Sequence, residues 1–425
     1  MNTSELIYDW NKIHPGSLRP VGPVLLNDET LRDGLQSPSV RDPQIDEKIR
    51  ILHLMEALGI NMLDLGLPGA GPRAVEHVTA LAREIATHRM KILPNCAART
   101  HENDIRPIAD IVQKTGIKIE AATFLGSSPI RRYTEGWTDD FLLQTTEKAV
   151  KFAVSLGLDP MYVTEDTTRC DPETVKRLYK TAIECGARAI VICDTCGHVT
   201  PSGVTALIHF VIDEVVKPSG EKIRVDWHGH CDRGLAVANS LAALAAGADC
   251  VHACAIGIGE RVGNTQMDQM LVNLKLMGVP PWDEQDLTSL KDYCETVSRA
   301  TGVILATPEY HGTFSSVIKL VIENLGFPSV LASKPVALLG VAAGQIGAIK
   351  AIEGLASVCT HVGALVLPGA VSVANVQSVF DAEGRCLDPG VEKRIRSVAV
   401  NLIDYIHGAI CPRIAMEAMA RGGSK

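Results

Sequence analysis

Residues 189–256 read AIVICDTCGHVTPSGVTALIHFVIDEVVKPSGEKIRVDWHGHCDRGLAVANSLAALAAGADCVHACAI, and this stretch decides the fold class. It holds three β-like runs, Ala189–Asp194, Ile223–His228 and Cys250–Ile256, separated by the amphipathic helical stretches Ser202–Val216 and Leu235–Ala246. Toward the N-terminus the alternation continues. Val24–Asn27, Met62–Gly66, Lys91–Pro94, Lys118–Thr123 and Met161–Glu165 read as strands, with helix-like Gln44–Leu58, Pro72–Thr87, Thr138–Leu156 and Asp171–Cys185 among them. Eight strands and intervening helices at steps of roughly 25–45 residues predict an α/β protein with a closed (β/α)8 TIM barrel rather than an open doubly wound sheet.

In such a barrel the chemistry sits at the C-terminal ends of the strands. Those ends carry Asp28, Arg32 and Asp33; Leu67–Gly69; Asn95; Thr123; Glu165 and Asp166; Asp194 and Thr195; His228 and His230; and Gly257–Asn264. The sharpest feature is Asp226-Trp227-His228-Gly229-His230-Cys231-Asp232. Residues two apart on a strand face the same way, so His228 and His230 can present two imidazoles to one cation. Two His and a carboxylate form a common donor set for Zn²⁺, Mn²⁺ or Fe²⁺. Asp33, two strands away around a closed ring, can supply the carboxylate. Cys193-Asp194-Thr195-Cys196 is a CxxC, yet no second CxxC follows at zinc-ribbon spacing, so these thiols, like Cys250 and Cys254, read as structural.

The remaining composition narrows the function class. With 425 residues the chain has room for two or three domains. A net charge of −8 leaves no basic surplus for nucleic acid or an anionic membrane. Apolar runs such as Lys334–Ala343 are too short to span a bilayer. Met1–Arg19 has no apolar core of a signal sequence, and the cysteines lack disulfide-framework spacing, so a cytoplasmic location is expected.

Three separated motifs, NDETLRDGLQ at Asn27–Gln36, HGHCDRGLAVANS at His228–Ser240 and GIGERVGN at Gly257–Asn264, make residues 21–302 resemble the metal-dependent barrel synthases and lyases that include 2-isopropylmalate, citramalate and homocitrate synthases. The resemblance implies a divalent cation (Mn²⁺, Mg²⁺ or Zn²⁺) held by Asp33, His228 and His230, with Asn264 as a further ligand. It also implies that Arg32 stabilises a developing oxyanion and that Glu165 and Thr195 line a 2-oxo acid site. Whether Glu165 or Asp166 faces the mouth stays open from the residues alone, as does a helix-capping role for Thr195. The implied reaction is a Claisen-type condensation of acetyl-CoA with a 2-oxo acid, closest to 2-oxoisovalerate in leucine biosynthesis. Hydroxymethylglutaryl-CoA lyases of the same group carry a cysteine in the loop after strand eight; Gly257–Asn264 has none, which favours a synthase.

Asp286–Val303 still resembles the helix that opens the accessory region of these synthases, and is expected as a linker between a barrel over 1–285 and a segment over 304–425. The family's HExGIH-like stretch, whose histidine helps deprotonate the acyl-CoA, is absent. Tyr310 and His311, on the turn ATPEYHG at Ala306–Gly312, are the nearest substitutes for that base. ATPEYHG and KPVALLGVAAGQIGA at Lys334–Ala348 resemble the C-terminal half of NADPH-dependent FMN reductases of flavodoxin-like fold. Helices near Thr313–Leu325, Ile346–Val358 and Pro389–His407, with strands at Pro335–Val341 and Ala364–Pro368, complete a partial parallel sheet. The half of that family that cradles the FMN phosphate has no counterpart, which argues against bound FMN. The uncovered sheet edge points to a homodimer, or to docking onto the barrel. The rival readings are a carbon–carbon lyase, an FMN-dependent NAD(P)H reductase and a metal-binding barrel without turnover.

Overall fold

The structure, a computed structural model, describes residues 19–37, 40, 42–297, 302–324, 329, 331–381 and 384–410. Met1–Arg19, read above for a signal sequence, lies outside these but for Arg19. The chain divides into two compact units, Met1–Ser298 and Arg299–Lys425.

In the first unit eight parallel strands close a barrel in sequence order: β1 (Leu25–Asp28), β2 (Met62–Asp64), β3 (Leu93–Arg99), β4 (Glu120–Gly126), β5 (Asp159–Glu165), β6 (Ala189–Asp194), β7 (Arg224–Gly229) and β8 (Cys250–Ala253). β8 pairs back onto β1 from Leu25 opposite Cys250 to Asp28 opposite Ala253, which closes the ring. The strands are apolar because both faces are covered. One set of side chains, including Tyr162, Ile190, Ile192, Trp227 and Val251, packs with the surrounding helices. The alternate set fills the bore, and it does so unevenly. Across β4 to β6 it is apolar, with Ala122, Met161, Ala189, Val191 and Cys193 in one cluster. On β7 the same parity brings in Arg224, Asp226 and His228.

The helices start and stop on local signals. Gln44 and Glu47 form a capping box for helix Ile45–Ala57, and Thr138 and Asp171 cap Asp139–Ser155 and Pro172–Glu184 by accepting from Phe141 N and Thr174 N. Ser202–Val216, expected as one helix, is α-helical over Pro201–Val211 and continues as a π-turn, Ile212–Val216. β3 and β4 run further toward their C-termini than Lys91–Pro94 and Lys118–Thr123 suggest. Their later residues, such as Cys96-Ala97-Ala98 and Ala121-Ala122, carry little β propensity, and it is the ladder from Asn95–Arg99 to Glu120–Phe124 that makes them strand. The segment expected as a linker forms helix Leu290–Val297 within the barrel unit. Its Tyr293 is fully buried, with its hydroxyl bonded to the Asp28 carboxylate and 3.3 Å from Thr30 Oγ1.

The second unit is a five-stranded sheet in the order β10–β9–β11–β12, with β13 also paired to β11: β9 (Val303–Tyr310), β10 (Thr313–Phe314), β11 (Pro335–Val341), β12 (Leu365–Val366) and β13 (Val371–Val373). β9, β11, β12 and β13 are parallel. Alternate residues of β11 feed two cores, Val336 and Leu338 against Ile322 and Leu355 on one face, Ala337 against Val398 and Leu402 on the other. ATPEYHG, expected wholly as a turn, is strand through Tyr310. His311 and Gly312, at φ 52° and 76°, are the two residues of a hairpin that lays β10 along the edge of β9. Among the described residues no helix is long and apolar enough to cross a membrane.

Candidate metal centre in the barrel mouth

After β1 the chain turns sharply. Asp28 Oδ1 accepts from Thr30 N at 2.8 Å, and Arg32 N and Gly34 N return to the Glu29 carbonyl at 3.1 and 3.0 Å. This tight loop aims Arg32 and Asp33 into the mouth. β7 ends on the opposite side of β8, and its two-residue period sends His228 and His230 to the same place. His228 Nε2 lies 3.0 Å from His230 Nε2 and 3.4 Å from Asp33 Oδ2; the third side, from His230 Nε2 to Asp33 Oδ2, is 3.8 Å. Donors bound to one cation at about 2.0–2.2 Å stand roughly 3.0–3.6 Å apart, so the triangle fits a divalent ion with little movement.

All three residues are buried. Burial and the neighbouring His228 push the His230 imidazole down to about 4, so it stays neutral, the form in which it can ligate. Asp33 Oδ1, His230 Nδ1 and Asn264 Oδ1 are buried without a hydrogen-bond partner among the described residues. Such atoms are costly unless something else satisfies them. Asn264 bridges His230 through its backbone and spends its amide on the Ile258 carbonyl at 3.1 Å, which leaves its oxygen as the free atom. The loop that carries it needs glycine: a Cβ on Gly263 would lie 1.9 Å from the Gly257 oxygen.

Arg32 is set among three carboxylates. Its Nε donates to Asp64 Oδ2 at 2.9 Å, one Nη is 3.4 Å from Asp33 Oδ2 and the other pairs with Glu29. Burial opposes its charge, but Glu29, Asp33 and Asp64 together hold the guanidinium well above its ordinary range. Burial pushes Asp64 up to about 6 despite Arg32. Glu165 and Thr195 line the same cavity with Phe124, Met161 and Glu260. Burial raises the Glu165 carboxyl, while Asp166 turns away at φ 59° to pair with Arg169 at 2.6 Å. Thr195 Oγ1 accepts from Asp166 N at 2.8 Å and does not cap the next helix, which follows Thr200. His311 sits on the second unit's hairpin turn. The described cysteines are free; Cys193 is buried, its thiol pushed well up by burial.

Several buried groups escaped the sequence reading. His252 Nδ1 is 2.5 Å from Glu29 Oε1, and its Nε2 is 3.2 Å from Asp226 Oδ2. Asp226 is bonded by Arg224 Nε at 2.9 Å, and Arg224 reaches both oxygens of Glu120 at 2.9 and 2.8 Å. A file of alternating charges thus descends the bore from the mouth. Burial opposes the His252 charge, yet Glu29 and Asp226 hold it protonated, well above the usual range. The inward run Arg224, Asp226, His228 on β7 was the available signal. His252, alone in an apolar strand, offered none.

The HMGL-like family matches residues 24–297, and the NADPH-dependent FMN reductase family matches 258–378, starting inside the barrel unit. The second match accords with a flavodoxin-like C-terminal segment. Relatives include 2-isopropylmalate synthases from Microcystis aeruginosa (33% identical over 296 residues, 66% of this chain and 55% of that one) and Heliobacterium modesticaldum (36% over 253 residues, 59% and 48%). The chain spans about half the length of the curated relatives it matches. Among solved structures, the HMG-CoA lyase of Bacillus subtilis superposes with a TM-score of 0.54 at 18% identity, over 65% of this chain and 93% of that one. Hydroxymethylglutaryl-CoA lyase from Pseudomonas aeruginosa gives 0.54 at 20%, over 71% and 98%, a likeness of fold. With its barrel matched from the first strand to the helix that seals it, the chain belongs to the HMGL-like family.

Proposed function

We propose that the chain is an acyltransferase that condenses acetyl-CoA with a 2-oxo acid, 2-oxoisovalerate giving 2-isopropylmalate being the favoured pair. The observation that carries this reading is the buried Asp33, His228 and His230 triangle with Arg32 beside it in an open mouth. Asp33, His228 and His230 would hold a divalent cation, with Asn264 Oδ1 as a further donor. When bound, the cation would supply Lewis-acid polarisation of the ketone. Arg32, kept charged and clamped through Nε, directs its remaining donors at the oxygen that becomes an alkoxide. Glu165 and Thr195 shape the space for the 2-oxo acid. Glu29, 3.6 Å from His228 Nδ1, orients that ring from behind.

The test is release of free CoA from acetyl-CoA across pyruvate, 2-oxoisovalerate and 2-oxoglutarate, with Mn²⁺, Mg²⁺ or Zn²⁺ added. Metal-dependent thiol release with 2-oxoisovalerate is the expected result. Cleavage of a 3-hydroxyacyl-CoA without any condensation would replace this reading by a lyase. The match to FMN reductases favours one further reading, an NAD(P)H-dependent flavin activity of the second unit. It predicts a yellow protein as purified.

A further inference from the structure

A second donor cluster lies on the outer wall of the barrel. His53 projects from helix Ile45–Ala57; Glu84 and His88 lie one turn apart near the end of helix Pro72–His88. Glu84 Oε1 is 2.7 Å from His53 Nε2 and 3.1 Å from His88 Nε2, so both rings aim the same nitrogen at one carboxylate oxygen. The two rings stand 5.1 Å apart at 83°. Residues four apart share a helix face, so Glu84 and His88 form a two-toothed chelate and His53 closes it from the neighbouring helix.

The cluster is remote from the mouth. Barrel helices run back against their strands, so their C-terminal ends lie at the floor. Glu56, next to His53 on its helix, accepts from Lys91 N and Ile92 N at 2.9 and 3.2 Å, just where the chain enters β3. The helix of Glu84 and His88 ends at His88, with Arg89 capping it at φ 50°.

We propose that His53, Glu84 and His88 form a second metal site, which takes a borderline transition ion of the Zn²⁺ type and ties the first two helices of the outer ring together. Two imidazoles and one carboxylate suit Zn²⁺, Cu²⁺ or Ni²⁺ and not Mg²⁺ or Ca²⁺, which prefer oxygen. Three protein ligands leave a fourth position for water. All three donor atoms lie within 4.8 Å of one another. The His88 to Glu84 separation of 3.1 Å already matches the roughly 3.0–3.6 Å of ligands around one ion, and the His53 to Glu84 separation of 2.7 Å is slightly short of it. His53 and His88 are 43% and 52% exposed, which gives them room to open by the few tenths of an ångström required.

The test is Zn²⁺ stoichiometry on the full chain, measured by equilibrium dialysis after chelator treatment. His53→Ala/His88→Ala is expected to hold one Zn²⁺ fewer than the parent, and Glu84→Gln to bind that ion more than about tenfold more weakly. In an Asp33→Ala/His228→Ala background the remaining Zn²⁺ should still raise the melting temperature, and that rise should vanish when His53 and His88 are also replaced. A parent that binds one ion, lost in His53→Ala/His88→Ala, would support this site while counting against the mouth. Equal stoichiometry in the parent and His53→Ala/His88→Ala would overturn the inference and leave the cluster an ion pair.

Discussion

Arg32→Lys separates charge from geometry at the mouth. The substitution keeps one positive charge among Glu29, Asp33 and Asp64, so the fold and the metal donors should survive. It removes the planar fork. In the parent, Nε is committed to Asp64 at 2.9 Å, and that anchor sets where the two Nη groups point. A lysine ammonium has three donors, but on a flexible stem it lacks the rigid fork in which one nitrogen anchors on Asp64 while the others stay aimed at a developing alkoxide. Losing one preorganised oxyanion donor costs about 10²–10³ in kcat, or about 2.7–4 kcal/mol of transition-state stabilisation. The assay is thiol release at saturating 2-oxo acid, with metal content and melting temperature measured on the same samples. A fall in kcat of that size, with metal retained and the 2-oxo acid KM little changed, is expected. A variant within about twofold of the parent would refute the oxyanion role.

His228→Ala or His230→Ala should lose the mouth cation to a chelator, because two remaining donors hold an ion poorly; full occupancy in both variants by elemental analysis would dismiss the site. Burial lifts Asp28 from 3.8 to about 6, so its contribution to stability is present at low pH and fades as pH rises through about 6. Relative to the parent, Asp28→Asn should therefore gain up to about 3 kcal/mol of unfolding free energy between about pH 4 and 7, and a pH-independent difference would contradict that assignment. Tyr293→Phe leaves Asp28 short of a donor in the core and should cost about 1–3 kcal/mol in denaturant unfolding; no loss would mean that the helix docks by its apolar face alone.

The fold was legible because a barrel repeats its signal. Each apolar run is ambiguous alone, but eight of them at regular spacing leave little choice, and the run Ala189–Asp194 matches β6 residue for residue. What blurred was the end of each strand, where Cys96-Ala97-Ala98 or Ala121-Ala122 become strand only by pairing. The site was legible where chemistry is clustered in sequence, as in His228-Gly229-His230 and Arg32-Asp33. Asp64 and His252 were not, because each is a single polar residue whose partners arrive from other strands, and Glu29, though it pairs with Arg32 nearby, gave no sign of its contact with His252. Tyr293 was hidden for the same reason: nothing in its helix says that its hydroxyl reaches β1.

That dependence on distant partners bears on how the protein must be made. Glu29 and His252, now 2.5 Å apart, are 223 positions apart along the chain. During synthesis Arg32, Asp33 and Glu29 emerge early and wait through six further strands for the imidazoles that complement them. A truncated or half-synthesised barrel therefore cannot chelate at its mouth, however native its first strands are. If the proposed site holds a cation, its uptake would report that β7 has come round beside the loop that follows β1.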